Sequence, residues 1–69
     1  MERVHFIGIG GIGMSALALL AIDRGVKVSG SDLSINTQVE LLKKKGATIF
    51  QGHAAENVPD GATVICSTD

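Results

Sequence analysis

The chain has 69 residues, 45% of them hydrophobic, and carries a net charge of −1, so it forms at most one domain. The near-neutral charge gives no reason to expect a nucleic acid or an anionic membrane as partner, and an aromatic content of 3% argues against base-stacking platforms. Cys66 is the only cysteine, so no intrachain disulfide can form and the composition fits a reducing compartment.

The chain begins with a strand pattern, a glycine-rich turn and a helix pattern. Residues 4–9 form a short apolar run with β-branched side chains, which predicts a central parallel strand. Residues 8–13 have the spacing G-x-G-x-x-G, and such a turn at a helix start brings backbone N–H groups to a ligand phosphate. We expect Gly8 to allow the tight turn, Gly10 to let a diphosphate approach, and Gly13 to let helix and strand pack closely.

Residues 11–24 predict the first helix. Its segment 15–22 contains almost no polar side chain, whereas a surface helix usually has one polar face. We therefore expect cover on more than one side, and a second copy of the chain is one candidate for it. The segment is far shorter than the roughly 20 residues that span a bilayer. Arg24 and Gly25 are expected to end the helix.

A second strand and a second helix follow. Residues 26–32 predict the strand, and Asp32 falls about 20 residues after the glycine turn, where dinucleotide-binding folds place a carboxylate for ribose hydroxyls. Residues 33–36 predict a loop. Thr37 and Glu40 fit a capping box, with Thr37 as the N-cap of the second helix.

The last third of the chain predicts two further strands. Residues 43–46, three lysines and a glycine, suit the end of the second helix. Residues 47–50 predict the third strand, residues 51–58 a loop with one helical turn, residues 59–61 a tight turn and residues 62–67 the fourth strand.

The element order β-α-β-α-β-short α-β predicts an α/β fold, a Rossmann-like parallel sheet with strand order 3-2-1-4. Ligands of such sheets bind beyond the carboxyl ends of the strands. That edge would carry the glycine turn, Asp32, His53 and the pair Ser67 and Thr68. We expect His5 and Cys66 to be structural, and the sequence predicts no metal site.

Residues 5–18 closely resemble the opening of the alanine-adding members of the Mur ligase family, the ATP-dependent ligases that build the peptidoglycan stem peptide. Residues 30–32, 45–47 and 52–53 also match, so the resemblance covers essentially the whole chain. The members that recycle murein tripeptide have a loop richer in Cys, Thr and Phe and rank second. Asp69 departs from the small apolar residue usual at its position.

The resemblance implies that residues 1–69 are the N-terminal Rossmann-like domain of a larger ligase, truncated before the other domains of the bacterial, cytoplasmic enzyme. A central domain would bind ATP and Mg, and a C-terminal domain would bind L-alanine. The G-x-x-x-x-G-K-[ST] loop for ATP is absent from the sequence. We therefore expect this chain to contain no catalytic residue and to bind no cofactor. Its expected ligand is the UDP part of UDP-N-acetylmuramate.

The contacts that the resemblance implies lie in the glycine turn and on the neighbouring strand ends. They are Gly8, Gly10, Gly11, Ile12, Gly13, Met14, Ser15, Ser31, Asp32, His53, Ser67 and Thr68. Two other functions fit the same loop: an NAD(P)-binding domain of an oxidoreductase, and a non-catalytic nucleotide-sensing module.

Overall fold

A computed structural model describes residues 2–66 of the chain. Strands and helices alternate along the chain, as the sequence predicts. The elements are β1 (Arg3–Ile7), α1 (Ile12–Asp23), β2 (Lys27–Asp32), α2 (Thr37–Lys44), β3 (Thr48–Gln51), a 3-10 turn (Ala55–Asn57) and β4 (Thr63–Cys66).

The four strands form one parallel sheet in the order β3-β2-β1-β4, which confirms the predicted fold class and strand order. Phe6 of β1 pairs with Gly30 of β2 on one side and with Ile65 of β4 on the other. Paired residues of parallel strands point to the same face of the sheet. The register therefore decides which side chains meet the helices.

One face of the sheet packs against both helices. Phe6, Ile9, Val39 and Leu42 are at most 1% exposed, and Ala18 joins them from α1. Burial of side chains of this size contributes about 1.5–3 kcal/mol each. Ile9 belongs to the glycine turn rather than to a strand, so the turn itself is anchored in the core.

The other face of the sheet is more polar. His5, Ser29 and Ser31 are buried there. The segment around the 3-10 turn lies beside this face, because Ala54 and Val58 line a cavity of about 290 Å³ together with His5 and Ser31.

Helix α1 leaves much of its apolar surface open. Ser15 and Ala18 are its buried residues, whereas Ile12 is 87%, Leu17 45% and Leu20 48% exposed. No segment within residues 2–66 covers these side chains, and pairing of two copies through this helix stays a prediction. Among the described residues, no helix is long and apolar enough to cross a membrane.

The N-cap of α2 differs from the prediction. Asn36 is the cap, and its side-chain oxygen accepts a hydrogen bond from the Val39 N–H at 3.0 Å. Thr37 is the first helical residue, so the predicted capping box with Glu40 is wrong. Asn is at least as good a cap as Thr, and from this position its amide nitrogen also reaches Gly10.

Close approach between the glycine turn and the sheet occurs at Gly30 rather than at Gly13. A Cβ atom on Gly30 would lie 2.6 Å from Ile9 Cδ1 and 2.8 Å from the Phe6 carbonyl oxygen. A Cβ atom on Gly13 would meet no described atom within 4 Å. The packing role predicted for Gly13 is therefore wrong, because this residue lies in the exposed first turn of α1.

Left-handed glycines follow both helices, as predicted. Gly25 has a φ of +81° after α1, and Gly46 has a φ of +113° after α2. Other residues adopt this region rarely. These two turns return the chain to the amino ends of β2 and β3, which leaves the opposite edge of the sheet for the loops that precede the helices.

Candidate functional site

The glycine turn is fixed to the carboxyl end of β2 by backbone hydrogen bonds. The N–H groups of Gly8 and Ile9 both donate to the Ser31 carbonyl oxygen, at 2.8 and 3.0 Å, and the Gly11 N–H donates to the Gly8 carbonyl oxygen at 3.1 Å. Gly8 has a φ of +85°, so it allows the tight turn as predicted. Strand β1 ends at Ile7, earlier than predicted, because the next two N–H groups turn toward Ser31.

Gly10 packs against the connection between β2 and α2. Its N–H donates to Asp32 Oδ2 at 2.8 Å, and its carbonyl oxygen accepts from Asn36 Nδ2 at 3.3 Å. A Cβ atom on Gly10 would lie 2.8 Å from that carboxylate oxygen and 3.1 Å from Val39 Cγ2. Glycine is therefore needed here for contact with the protein's own side chains.

The start of α1 has no cap of its own. Gly11 is the N-cap, in an extended conformation with φ −64° and ψ 148°, and the first turn holds no acidic residue. Within residues 2–66, the N–H groups of Ile12, Gly13 and Met14 have no hydrogen-bond acceptor, and the first N–H that bonds backward is that of Ser15, to Gly11. Free N–H groups and the positive end of a helix dipole can together bind an anion.

The side chains at this helix start differ in their access to a ligand. Ile12 is 87% exposed, whereas Met14 is half-buried and packs against the core. Ser15 is buried, and its hydroxyl donates to the Ile12 carbonyl oxygen at 3.0 Å. Ser15 is thus placed to support the first turn, while Ile12 and Gly13 are exposed.

Two serine–histidine pairs lie on the polar face of the sheet. Ser31 Oγ is 2.6 Å from His53 Nδ1, and Ser29 Oγ is 2.8 Å from His5 Nδ1. Burial, and secondarily the charge of the neighbouring His53, lower the pKa of His5. Ser31 is 2% and Ser29 7% exposed, so both hydroxyls are buried beside the histidine rings. The two pairs fix the positions of these rings on the polar face of the sheet.

The structure brings most of the predicted contacts together. The glycine turn, Ser31 and Asp32 are joined by hydrogen bonds, and His53 is joined to them through Ser31. Ser67 and Thr68 lie outside the described residues. Among residues 2–66, no group of three or more His, Cys, Asp or Glu side chains could hold a metal ion.

The sequence did not lead us to predict two residues of the site, Asn36 and Gly30. Asn36 stood in a segment predicted only as loop, although Asn three residues before Val39 is itself a cap signal. Gly30 stood inside a strand pattern, where an isolated glycine signals close backbone approach. That signal was present in the sequence.

Known proteins resemble this chain along nearly its whole length. Residues 3–69 match the Mur ligase family, catalytic domain. The chain is 61% identical over 64 residues to the bifunctional enzyme MurC/Ddl of Chlamydia trachomatis and 52% identical over 68 residues to a UDP-N-acetylmuramate–L-alanine ligase of Aquifex aeolicus. These alignments cover 93% and 99% of this chain but only 8% and 15% of the two relatives.

A solved structure has the same fold. The crystal structure of a UDP-N-acetylmuramate–alanine ligase from Thermotoga maritima superimposes with a TM-score of 0.88 and 42% identity. The match covers 96% of this chain and 15% of that one. The chain therefore corresponds to a small part of the longer proteins that it resembles.

Proposed function

The chain belongs to the Mur ligase family, and we propose that it binds the UDP part of UDP-N-acetylmuramate. The diphosphate accepts hydrogen bonds from the backbone N–H groups of residues 12–14. The nucleoside lies along the edge formed by the ends of β2 and β3, toward Ser31 and His53. Ser67 and Thr68 remain predicted contacts to the diphosphate.

The uncapped start of α1 carries this proposal. A helix start without a cap leaves about half a positive charge and unsatisfied donors at one point. Here the N–H groups of residues 8–11, in the turn just before the helix, are all bonded within the protein. This turn holds the donors of residues 12–14 in place. A diphosphate supplies the negative charge and the acceptors that this arrangement lacks.

The remaining chemistry belongs to parts of the longer family protein. We propose that the whole protein joins L-alanine to UDP-N-acetylmuramate with ATP and Mg, in the bacterial cytoplasm. The residues of this chain do not fit ATP, because the sequence has no G-x-x-x-x-G-K-[ST] loop. In this proposal the chain holds the nucleotide end of the substrate, and another part of the longer protein binds the carboxylate that reacts.

Titration of the ¹⁵N-labelled full chain tests the binding proposal. We expect the amide signals of residues 12–14 to move with UDP and with UDP-N-acetylmuramate, and to move less with NAD at the same concentration. Movement with NAD and not with the UDP ligands would overturn the proposal in favour of an oxidoreductase domain. Equal responses to UDP, ADP and UMP would instead indicate a nucleotide-sensing module.

A further inference from the structure

Gly10 is held on both sides by the connection between β2 and α2. Asp32 Oδ2 accepts its N–H at 2.8 Å, and Asn36 Nδ2 donates to its carbonyl oxygen at 3.3 Å. Both side chains are themselves fixed, because Asp32 Oδ1 accepts from the Ser34 N–H at 3.1 Å and Asn36 Oδ1 accepts from the Val39 N–H at 3.0 Å. The four hydrogen bonds form a clamp between the glycine turn and the start of α2.

One side of the clamp lies against the core. Val39 is 0% exposed, and its Cγ2 would lie 3.1 Å from a Cβ atom on Gly10. The Val39 side chain that packs behind Gly10 is therefore part of the hydrophobic core. Each oxygen of Asp32 accepts one backbone N–H, one from the glycine turn and one from the loop after β2.

We propose that Asp32 and Asn36 are positioning residues for the diphosphate site. By fixing Gly10 two residues before α1, they direct the N–H groups of residues 12–14 toward the ligand. Holding donors in their binding geometry raises affinity because less freedom is lost on binding. This inference rests on the proposed function, and it assigns to Asp32 a task other than the ribose contact expected from the sequence.

The charge of Asp32 separates the two tasks. A carboxylate beside an anion site repels the ligand, so a positioning role depends on its oxygen acceptor and not on its charge. Asp32→Asn keeps an acceptor for the Gly10 N–H and removes the charge. Asp32→Ala removes both.

Inorganic diphosphate, which has no ribose, is the decisive probe. By calorimetry on the full chain, we expect Asp32→Ala to weaken inorganic diphosphate and UDP alike, by about tenfold. We expect Asp32→Asn to bind both as well as the natural chain or more tightly. If Asp32→Ala weakens UDP and leaves inorganic diphosphate unchanged, Asp32 is a ribose ligand and the positioning role is overturned.

Asn36→Ser tests the second half of the clamp. Ser is neutral and can keep the cap on the Val39 N–H, but its shorter side chain lacks the amide donor that bonds to the Gly10 carbonyl oxygen. We expect a severalfold loss of affinity for inorganic diphosphate with an unchanged unfolding midpoint. Unchanged affinity would remove Asn36 from the proposal.

The ligand-free chain supplies a readout that does not depend on binding. In Asp32→Ala, we expect the amide signals of Gly10 and of residues 12–14 to move and the hydrogen exchange of the Gly10 amide, which loses its acceptor, to accelerate. If the natural chain binds neither probe, the proposed function fails, but these signals still decide the clamp. Unmoved signals would overturn it. Should the alanine variant fail to fold, Asn36→Ser provides the comparison, because it removes the donor to the Gly10 carbonyl oxygen.

Discussion

The two helices of this chain begin in opposite ways. Helix α2 has a side-chain cap, with Asn36 bonded to the Val39 N–H and Glu40 in the first turn. Helix α1 follows the N-cap Gly11, and among residues 2–66 no side chain caps it and its first turn has no acidic residue. In α2 the protein itself supplies an acceptor for the Val39 N–H and a negative charge in the first turn. In α1 no residue among 2–66 supplies an acceptor or a negative charge, and this is where we propose that a ligand binds.

The uncapped helix has other support. The turn before it is bonded to Ser31 through Gly8 and Ile9, and Ile9 is fully buried. A cap contributes about 1 kcal/mol, which is less than the burial of one large apolar side chain. A structure can therefore do without the cap of α1 without losing the helix.

The most severe change to the α1 start is to push its turn away from β2. Gly30→Ala would place a Cβ atom 2.6 Å from Ile9 Cδ1 and 2.8 Å from a backbone oxygen of Phe6. The backbone of β1 would have to shift to relieve the second contact. We expect a loss of about 3 kcal/mol in the free energy of unfolding, measured by urea denaturation. The structural change would be centred on the glycine turn that leads into α1.

Gly13→Ala is the matched control for that substitution. Its Cβ atom would meet no described atom within 4 Å, and alanine favours a helix over glycine by up to about 1 kcal/mol. We expect unchanged or higher stability. Equal losses in Gly30→Ala and Gly13→Ala would contradict the difference in packing at the two glycines.

Giving α1 the cap that α2 already has should abolish the contrast between them. In Gly11→Asp, the extended backbone accepts a side chain, since an added Cβ atom would approach no nearer than 3.5 Å. The new carboxylate would bond to the first-turn N–H groups and repel a diphosphate. We expect UDP affinity to fall at least about tenfold while stability rises by a few tenths of a kcal/mol.

Gly11→Ala separates the new cap from the mere loss of a glycine. It adds a Cβ atom without any acceptor, so we expect UDP affinity close to that of the natural chain. An equal loss of affinity in Gly11→Ala and Gly11→Asp would mean that the site depends on the glycine and not on its free donors.

Removing the cap of α2 is expected to have a smaller effect. Asn36→Ala leaves the Val39 N–H without its acceptor, and we expect the free energy of unfolding to fall by about 1 kcal/mol. Thermal denaturation with Asn36→Asp as the capped control measures this contribution. A loss in Asn36→Asp as large as that in Asn36→Ala would show that the cap is not its cause.

The smallest effect concerns a group remote from both helix starts. Burial lowers the pKa of His5 in the folded state, so the folded chain favours the neutral ring. Unfolding allows protonation near the ordinary pKa of about 6.5, and stability therefore declines as the pH falls below that value. We expect His5→Asn to flatten this slope in denaturation between about pH 7.5 and about pH 5.5. An unchanged slope would assign the pH dependence to other groups.

The architecture was accessible from the sequence for a simple physical reason. Alternating strand and helix patterns with short connections leave few parallel arrangements, and the glycine turn marks which strand is central. The cap of α2 was misplaced because Asn36 and Thr37 are adjacent and both cap well. Local sequence alone does not separate them, since the choice depends on the contact with Gly10.

The details of the site depend on contacts far apart in the chain. Asp32 was predicted at the correct edge, but the direction of its carboxylate follows from the position of Gly10, 22 residues earlier. Gly30 shows the same limit, because its neighbour Ile9 is brought to it only by the folded turn. Sequence periodicity identifies faces and edges, whereas the partner of one polar atom requires the tertiary structure.

The shared acceptor at Ser31 has a thermodynamic consequence. One carbonyl oxygen binds two successive N–H groups of the glycine turn, which leaves that segment few conformers in the free protein. Ordering a flexible loop costs about 1–2 kcal/mol per residue in backbone entropy, and here folding has already met that cost. The entropy cost of binding an anion at this turn is then mainly the ligand's own loss of translational and rotational freedom.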